Sequence, residues 1–243
     1  MKQFTFPSLL ALTVILAACG GGGGSSDSNT STNSSGGTTS NPQPTKLVDA
    51  PQVIEYYGDS TIWGYESFTG NRVATPAPDA FAQALPSNQQ VRNLGVSGQT
   101  ACQLLNADGG WDAKMSASQA TVVILNHGIN DFGSEVGEDI PTYKNCLRTL
   151  ASIAKTKGKR VIFETPNPVD RDGLQNYVAA MKEVAAESSP ALSVIDQFSR
   201  LNQFLLDGSR NIRDMCPDGT HPSQAVYVEK GQYAAQVYKT LSK

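Results

Sequence analysis

The chain has little of what marks a nucleic-acid, metal or membrane-spanning protein. Only 17% of its 243 residues are charged, 19 basic against 22 acidic, for a net charge of −3. With no basic excess and no basic stripe, nucleic acid is not an expected partner. Histidine occurs twice, at His127 and His221. That is too few for a metal centre when no cluster of carboxylates and thiolates stands at ligand spacing, so no metal or cofactor is expected. Beyond the N-terminus there is no apolar run long enough to cross a bilayer.

The N-terminus itself is distinctive. Met1-Lys2 is a positive start, Phe6 to Ala18 is mostly apolar, and Leu16-Ala17-Ala18-Cys19 closes the run with small residues before a cysteine. The run is too short for a membrane span and has the form of a secretory signal. Its end resembles the lipobox of bacterial lipoproteins, in which the processed N-terminal cysteine carries acyl chains. The resemblance implies that residues 1–18 are a signal peptide and that Cys19 is lipidated and anchors the protein to the bacterial cell envelope. Gly20 follows the cysteine where an aspartate would signal inner-membrane retention, which favours the outer membrane, on its periplasmic or surface face.

After Cys19 the composition changes. Gly20 to Lys46 is a glycine run followed by Ser, Asn, Thr, Gly and two prolines. So little apolar surface cannot offset the entropy of ordering, so residues 19–46 are expected to form a disordered tether with a reach of roughly 29 Å. Residues 47–243 are one domain's worth of chain, enough for a sizeable core, and are expected to be monomeric. Three cysteines remain there, Cys102, Cys146 and Cys216. In an oxidising compartment one pair can bridge and one thiol is left over. Cys102–Cys146 is the favoured pair because both fall in helical patterns that follow adjacent predicted strands.

Within 47–243 strand and helix patterns alternate. Val53–Tyr57, Gln90–Leu94, Ala120–Asn126, Arg160–Glu164 and Leu192–Ile195 read as strands. The continuous β-branched and apolar run from Ala120 fits a central strand buried on both faces. Helical patterns cover Pro78–Leu85, Ala101–Asn106, Pro141–Lys157, Leu174–Ser188 and Gln224–Leu241. Pro141 suits a first turn, and Gly158 suits a stop. Repeated βα units with short loops predict an α/β fold, a parallel, doubly wound sheet of about five strands with helices on both faces.

Four fragments carry the chemistry: Gly58-Asp59-Ser60, Asn93-Leu94-Gly95, Gly128-Ile129-Asn130-Asp131 and Asp218-Gly219-Thr220-His221. Taken singly each has a plainer reading. Gly-Asp-Ser is a common polar turn, Gly95 eases a tight bend, Asn130-Asp131 can cap a helix, and Asp218-Gly219 is a turn signal. Together they supply a serine, two oxyanion donors and an Asp/His pair, the inventory of an acyl-transfer site. Ser60, Gly95 and Asn130 each follow a different predicted strand. Open parallel sheets form their ligand sites beyond the carboxyl ends of strands, so the three would meet at one crevice. Asp218 and His221, three apart on a turn before the last helix, can hydrogen-bond so that the aspartate orients the imidazole.

These fragments resemble the four blocks of the SGNH, or GDSL-type, hydrolase family over essentially the whole of 47–243. The resemblance implies a three-layer α/β/α sandwich with flavodoxin-like strand order and an ester hydrolase. By position, Ser60 is the nucleophile, Asp218 and His221 complete the triad, and Ser60, Gly95 and Asn130 form the oxyanion hole. The context Gly-Asp-Ser-Thr-Ile is not the Gly-x-Ser-x-Gly elbow of ordinary α/β-hydrolases. Candidates for the substrate cleft are His127, Asp59, and Thr165 and Asn167 in the proline-stiffened loop Thr165-Pro166-Asn167-Pro168, with Trp63, Tyr65 and Phe68 as a further wall. With no long apolar lid, small acyl groups on envelope carbohydrate such as acetylated polysaccharide or peptidoglycan are the favoured substrates. A lipase, lysophospholipase or thioesterase acting on longer chains is the alternative, and a non-catalytic surface binding module is the alternative class.

Overall fold

A computed structural model describes residues 45–242, apart from Ser134 and Val136. The expected signal peptide, Cys19 and nearly all of the expected tether therefore lie outside the described residues. Five parallel strands form one sheet: β1 (Gln52–Gly58), β2 (Gln89–Asn93), β3 (Val122–Asn126), β4 (Arg160–Glu164) and β5 (Ser193–Ile195), in the order β2-β1-β3-β4-β5. Ten α-helices accompany them among the described residues: α1 (Ser60–Trp63), α2 (Ala77–Gln83), α3 (Ala101–Asn106), α4 (Trp111–Ala117), α5 (Ile129–Gly133), α6 (Ile140–Thr156), α7 (Leu174–Glu187), α8 (Gln197–Leu206), α9 (Ile212–Met215) and α10 (Gln224–Tyr238). This is the expected α/β/α sandwich, and its strand order is the flavodoxin-like one.

The alternation of side chains on each strand creates two cores. Tyr57, Val123, Leu125, Val161 and Phe163 point to one face, where Leu104, Trp111, Leu147, Leu150 and Met181 from α3, α4, α6 and α7 cover them. Ile54, Tyr56, Val122, Ile124, Ile162 and Ile195 point to the other, under Phe81 of α2 and Ala234, Ala235 and Tyr238 of α10. The inner strands β1, β3 and β4 are thus apolar at successive positions, as a sheet sealed on both sides requires, whereas the edge strand β2 is largely polar. The chain leaves β1 in opposite directions toward β2 and β3, so the topological switch point falls beside β1. There Gly58 pairs with Asn126 and Tyr56 with Asn93, which levels the carboxyl ends of the three strands.

Local chemistry accounts for several boundaries. Thr100 caps α3, its hydroxyl taking the Gln103 N–H while the Gln103 side chain answers the Thr100 N–H. Asp139 caps α6 through the Thr142 N–H, and Pro141 lies in the first turn, as anticipated. The last helix ends three residues before the expected Leu241, because Leu241 instead accepts a hydrogen bond from the Leu47 N–H and Ser242 pairs with Lys46. Helices α1, α4, α5, α8 and α9 were not anticipated. Three of them have only four or five residues, too few for a 3.6-residue period to register. The longer α8 carries Phe198, Leu201 and Leu205 at helical spacing, a signal the sequence does contain.

Cys102 of α3 and Cys146 of α6 are joined in a disulfide, and Cys216 is free and buried. The bridge clamps α3, which follows β2, to α6, which precedes β4, across 44 residues of chain. Replacing both cysteines with alanine should lower the unfolding free energy by about 2–4 kcal/mol, since a loop this long loses about that much closure entropy. Urea unfolding of the variant and of wild type measures it, and a difference below about 0.5 kcal/mol would contradict a stabilising role.

Candidate active site

Ser60 is the first residue of α1, on the turn directly after β1. Asp59 caps that helix, its Oδ1 accepting the Thr61 N–H and the Thr61 hydroxyl, both at 2.8 Å. Ser60 therefore occupies a helix N-terminus, where backbone N–H groups have no partner within the helix. Its side chain is 8% exposed, and its Oγ stands 2.8 Å from His221 Nε2. On the other side of the ring, His221 Nδ1 is 2.6 Å from Asp218 Oδ2. The structure thus links Ser60, His221 and Asp218 in one chain of hydrogen bonds, across 161 residues of sequence.

The loop that brings the histidine is held at each residue. Asp218 Oδ1 accepts the backbone N–H of Thr220 at 2.9 Å and of His221 at 2.7 Å. Gly219 lies at φ +84°, where a side chain would be strained and would press on Asp170, and its carbonyl accepts the Asp170 N–H. Partial burial pushes the Asp218 carboxyl up, but the bonds from the His221 ring, the His221 N–H and the Thr220 N–H outweigh it and hold the group below the usual carboxylate range. Tyr65 packs on the His221 ring, centroid to centroid 4.5 Å, and is itself fixed by the Tyr227 hydroxyl on its carbonyl.

The two other blocks converge on the same edge. Gly95 packs so closely on α1 that a Cβ would collide with the backbone of Ile62 and Trp63. The Asn93 amide welds this contact, donating to the Ile62 carbonyl at 2.8 Å and accepting the Gly95 N–H at 3.1 Å. The Gly95 N–H is therefore directed at Asn93, and an oxyanion would have to share it. Asn130, half-buried on α5, donates through Nδ2 to the Gln99 carbonyl at 3.3 Å, which ties it to the loop bearing Gly95. Asp131 beside it accepts the Ala101 N–H at the start of α3. Burial, and then the neighbouring Glu138 carboxylate, push the Asp131 carboxyl well up.

The four residues expected to line the cleft do not stand on its wall, since all of them are fully buried. Asp59 points inward as a helix cap. Its carboxyl is pushed up by burial, against the pull of the Thr61 bonds and of the Lys230 and His221 charges. His127 lies behind the β3 edge, its Nε2 3.5 Å from Gln99 Oε1, and burial pushes its imidazole down to about 3. Thr165 bonds Asp196 and the Phe198 N–H, securing the start of α8. Asn167 bonds the Thr220 carbonyl. Of the aromatic wall, Trp63 does border a cleft, whereas Phe68 projects into solvent, 81% exposed.

That cleft measures about 770 Å³ and opens on the β2 side of the site, between Trp63, Leu94, Gly95, Val96 and Gln99. Among the described residues, Leu94 and Val96 are two of the few exposed large apolar side chains. A second hollow of about 660 Å³ lies beyond the Asp/His loop, between Asp170, Phe198 and Arg210. Among the described residues, no group of three or more His, Cys, Asp or Glu side chains is arranged to hold a metal ion. Asn93, although part of the second fragment, was given no role of its own, because its task, bridging the Gly95 N–H to α1, depends on β1 and β2 being neighbours. Lys230 was overlooked although it interrupts the apolar stripe Val226, Tyr227, Gly231, Ala234, Ala235 and Tyr238 of α10 at helical spacing.

An all-parallel α/β/α sandwich with a serine, histidine and aspartate hydrogen-bonded at the carboxyl edge of its sheet defines the class of protein. The chain belongs to the GDSL-like lipase/acylhydrolase family, whose pattern matches residues 56–228. Solved structures share the fold. One is an acetylxylan esterase from Geobacillus stearothermophilus, with TM-score 0.63, 20% identity, and coverage of 78% of this chain and 94% of that one. An alpha/beta hydrolase enzyme from the metagenome of Lake Arreo, Spain, has TM-score 0.64 at 18% identity, covering 80% and 98%. A G-D-S-L family protein from Desulfitobacterium hafniense has TM-score 0.58 at 23% identity, covering 76% and 99%. No curated relative matches the sequence.

His127 provides a pH signature of the buried site edge. Its imidazole is held neutral in the folded protein down to about 3, whereas in the unfolded chain it titrates near 6.5. Its contribution to stability is therefore complete above the unfolded value and declines as pH falls below it. Wild type and His127→Gln, unfolded in urea at pH 7 and pH 5, should converge by about 2 kcal/mol at the lower pH. A difference that stays constant would mean that the folded protein accepts the proton.

Proposed function

We propose that the protein is a serine esterase in which Ser60 attacks an ester carbonyl while His221 takes its proton. The observation that carries this reading is the unbroken run of hydrogen bonds from Ser60 Oγ through His221 to Asp218. The ionised Asp218 fixes the ring so that Nδ1 bears the proton and Nε2 faces the serine, and it stabilises the imidazolium as it forms. The tetrahedral oxyanion takes hydrogen bonds from the Ser60 N–H, from the Gly95 N–H now shared with Asn93, and from the Asn130 amide turning from the Gln99 carbonyl. Alcohol leaves with the proton from His221, and water activated by the same imidazole releases the acid.

The proposed substrate is a short acyl ester, foremost an O-acetyl group, on envelope polysaccharide or peptidoglycan. The shared fold of the acetylxylan esterase supports the substrate class. Cys19 would anchor the enzyme to the envelope by lipid, with the outer membrane favoured. The apolar rim of Leu94, Val96 and Trp63 on the 770 Å³ cleft favours a second reading, an acyl chain longer than acetyl on the same machinery. Turnover of p-nitrophenyl esters from acetate to palmitate by the purified protein separates the two. The first reading predicts a kcat/KM that falls steadily with chain length, the second a maximum at intermediate length.

Ser60→Ala should abolish turnover and labelling by an organophosphonate. Asn130→Ala should leave Ser60 reactive but reduce kcat by about 10²–10³-fold, the usual effect of losing one oxyanion donor. A wild-type protein that neither turns over any of these esters nor labels at Ser60 would point to a binding module instead. Full activity in His221→Ala would remove the general base and with it this mechanism.

A further inference from the structure

Lys230 of α10 is completely buried, and none of its contacts belongs to the mechanism above. Its ammonium donates to Asn167 Oδ1 at 3.0 Å. Burial pushes the ammonium down from the usual lysine range, against the pull of the Glu164 and Asp59 carboxyls and of the nearby Cys216 sulfur. Among the described residues no carboxylate comes within ion-pair distance of it. An ammonium so placed is poorly compensated, and an apolar side chain of similar volume would pack there at less expense. The lysine therefore calls for a reason other than stability.

Asn167 supplies that reason. It too is fully buried, and its Nδ2 donates to the Thr220 carbonyl at 3.0 Å, with Pro168 O and Cys216 Sγ also in reach. An asparagine amide can face either way, and a lysine has donors only. With the ammonium on one side, the amide oxygen must face Lys230 and the NH2 must face Thr220. Thr220 sits between Asp218 and His221, and its N–H is already bound to Asp218. Asp59, whose carboxyl is close enough to favour the ammonium, caps the helix that begins with Ser60. Lys230 thus lies under both the serine turn and the histidine loop.

We propose that Lys230 is a positioning residue which, by orienting Asn167 against the Thr220 carbonyl, holds His221 at hydrogen-bond distance from Ser60. The proposal rests on the esterase reading above. Small displacements of a reacting group are expensive in rate, with a misplacement near 1 Å costing about 10²-fold. The effect of losing the relay should therefore fall on kcat, while substrate binding on the opposite, β2 side of the site is spared.

The test uses four variants of the full chain with p-nitrophenyl acetate as substrate: Asn167→Asp, Lys230→Met, Asn167→Leu and the double Lys230→Met/Asn167→Leu. Asn167→Asp keeps a partner for Lys230, now a carboxylate, but replaces the donor to Thr220 with an acceptor. It should remain folded with an undiminished Tm, lose at least tenfold in kcat with KM within twofold, and label with organophosphonate more slowly by a similar factor. Lys230→Met should show the same split. Lys230→Met combined with Asn167→Leu should lose no more kcat than Asn167→Leu alone, because the two residues act in series. A folded Asn167→Asp with kcat within twofold of wild type overturns the proposal, whether or not Lys230→Met folds. So does a double variant whose loss is the product of the single losses. Wild-type protein that turns over and labels at Ser60 while the variants behave normally removes only the role of Lys230. Wild type that does neither removes the esterase reading as well.

Discussion

The hydrogen bond between Ser60 and His221 spans 161 residues, and nearly everything around it serves to hold its two ends. No local preference of the chain could do so, because closing a loop of that length carries an entropy loss that one hydrogen bond cannot offset. The sheet solves the problem. Ser60 is delivered by β1, paired on both sides by β2 and β3, and its turn is locked by the Asp59 cap and by Gly95 pressed against the helix backbone. His221 is delivered by a loop pinned to Asp170 and Asn167, both of which follow β4. Two strands of one sheet therefore set the distance between nucleophile and base.

Beneath the site lies a buried polar layer that an apolar core would not need. Tyr56, Asn126 and Gln197 all direct donors to Glu164, and Gln197 also reaches the Lys230 carbonyl. Asp59 and Lys230 add a carboxyl and an amine to the same region, and burial pushes the carboxyl up and the amine down. In a low-dielectric interior such a network admits few arrangements, which favours rigidity over stability. The layer lies toward the α2/α10 face. The opposite face is mainly hydrophobic packing around Trp111, Phe163 and Met181, with the buried Glu55 carboxyl accepting from Tyr57 and Ser118, and is closed by the disulfide between α3 and α6. Both faces thus supply hydrophobic stability, and the α2/α10 face carries the polar layer in addition.

The strands were the most legible part of the fold. Arg160–Glu164 matches β4 residue for residue, and the other four agree within two residues at either end. A strand sealed on both faces is a short apolar run bounded by polar turns, a pattern that survives any particular packing. The short helices α1, α5 and α9 were not legible, because one turn leaves no period. The cleft residues failed for a different reason. His127, Thr165 and Asn167 do stand at the carboxyl edge of the sheet, but position along a strand does not say whether the next side chain turns outward to substrate or inward to a neighbouring loop.

By itself the sequence determined which residue types could do chemistry and the order in which they follow their strands. Both are local properties, written in motifs such as Gly-Asp-Ser and Asp-Gly-Thr-His and in hydrophobic runs. Tertiary structure alone decided what each of these residues faces. It turned the Gly95 N–H toward Asn93, put His127 out of reach of solvent, and set a lysine of the last helix against an asparagine 63 residues earlier. Those outcomes depend on which strands are neighbours and how far apart helices can pack. Such distances arise from contacts among residues far apart in the chain, and no stretch of sequence contains them.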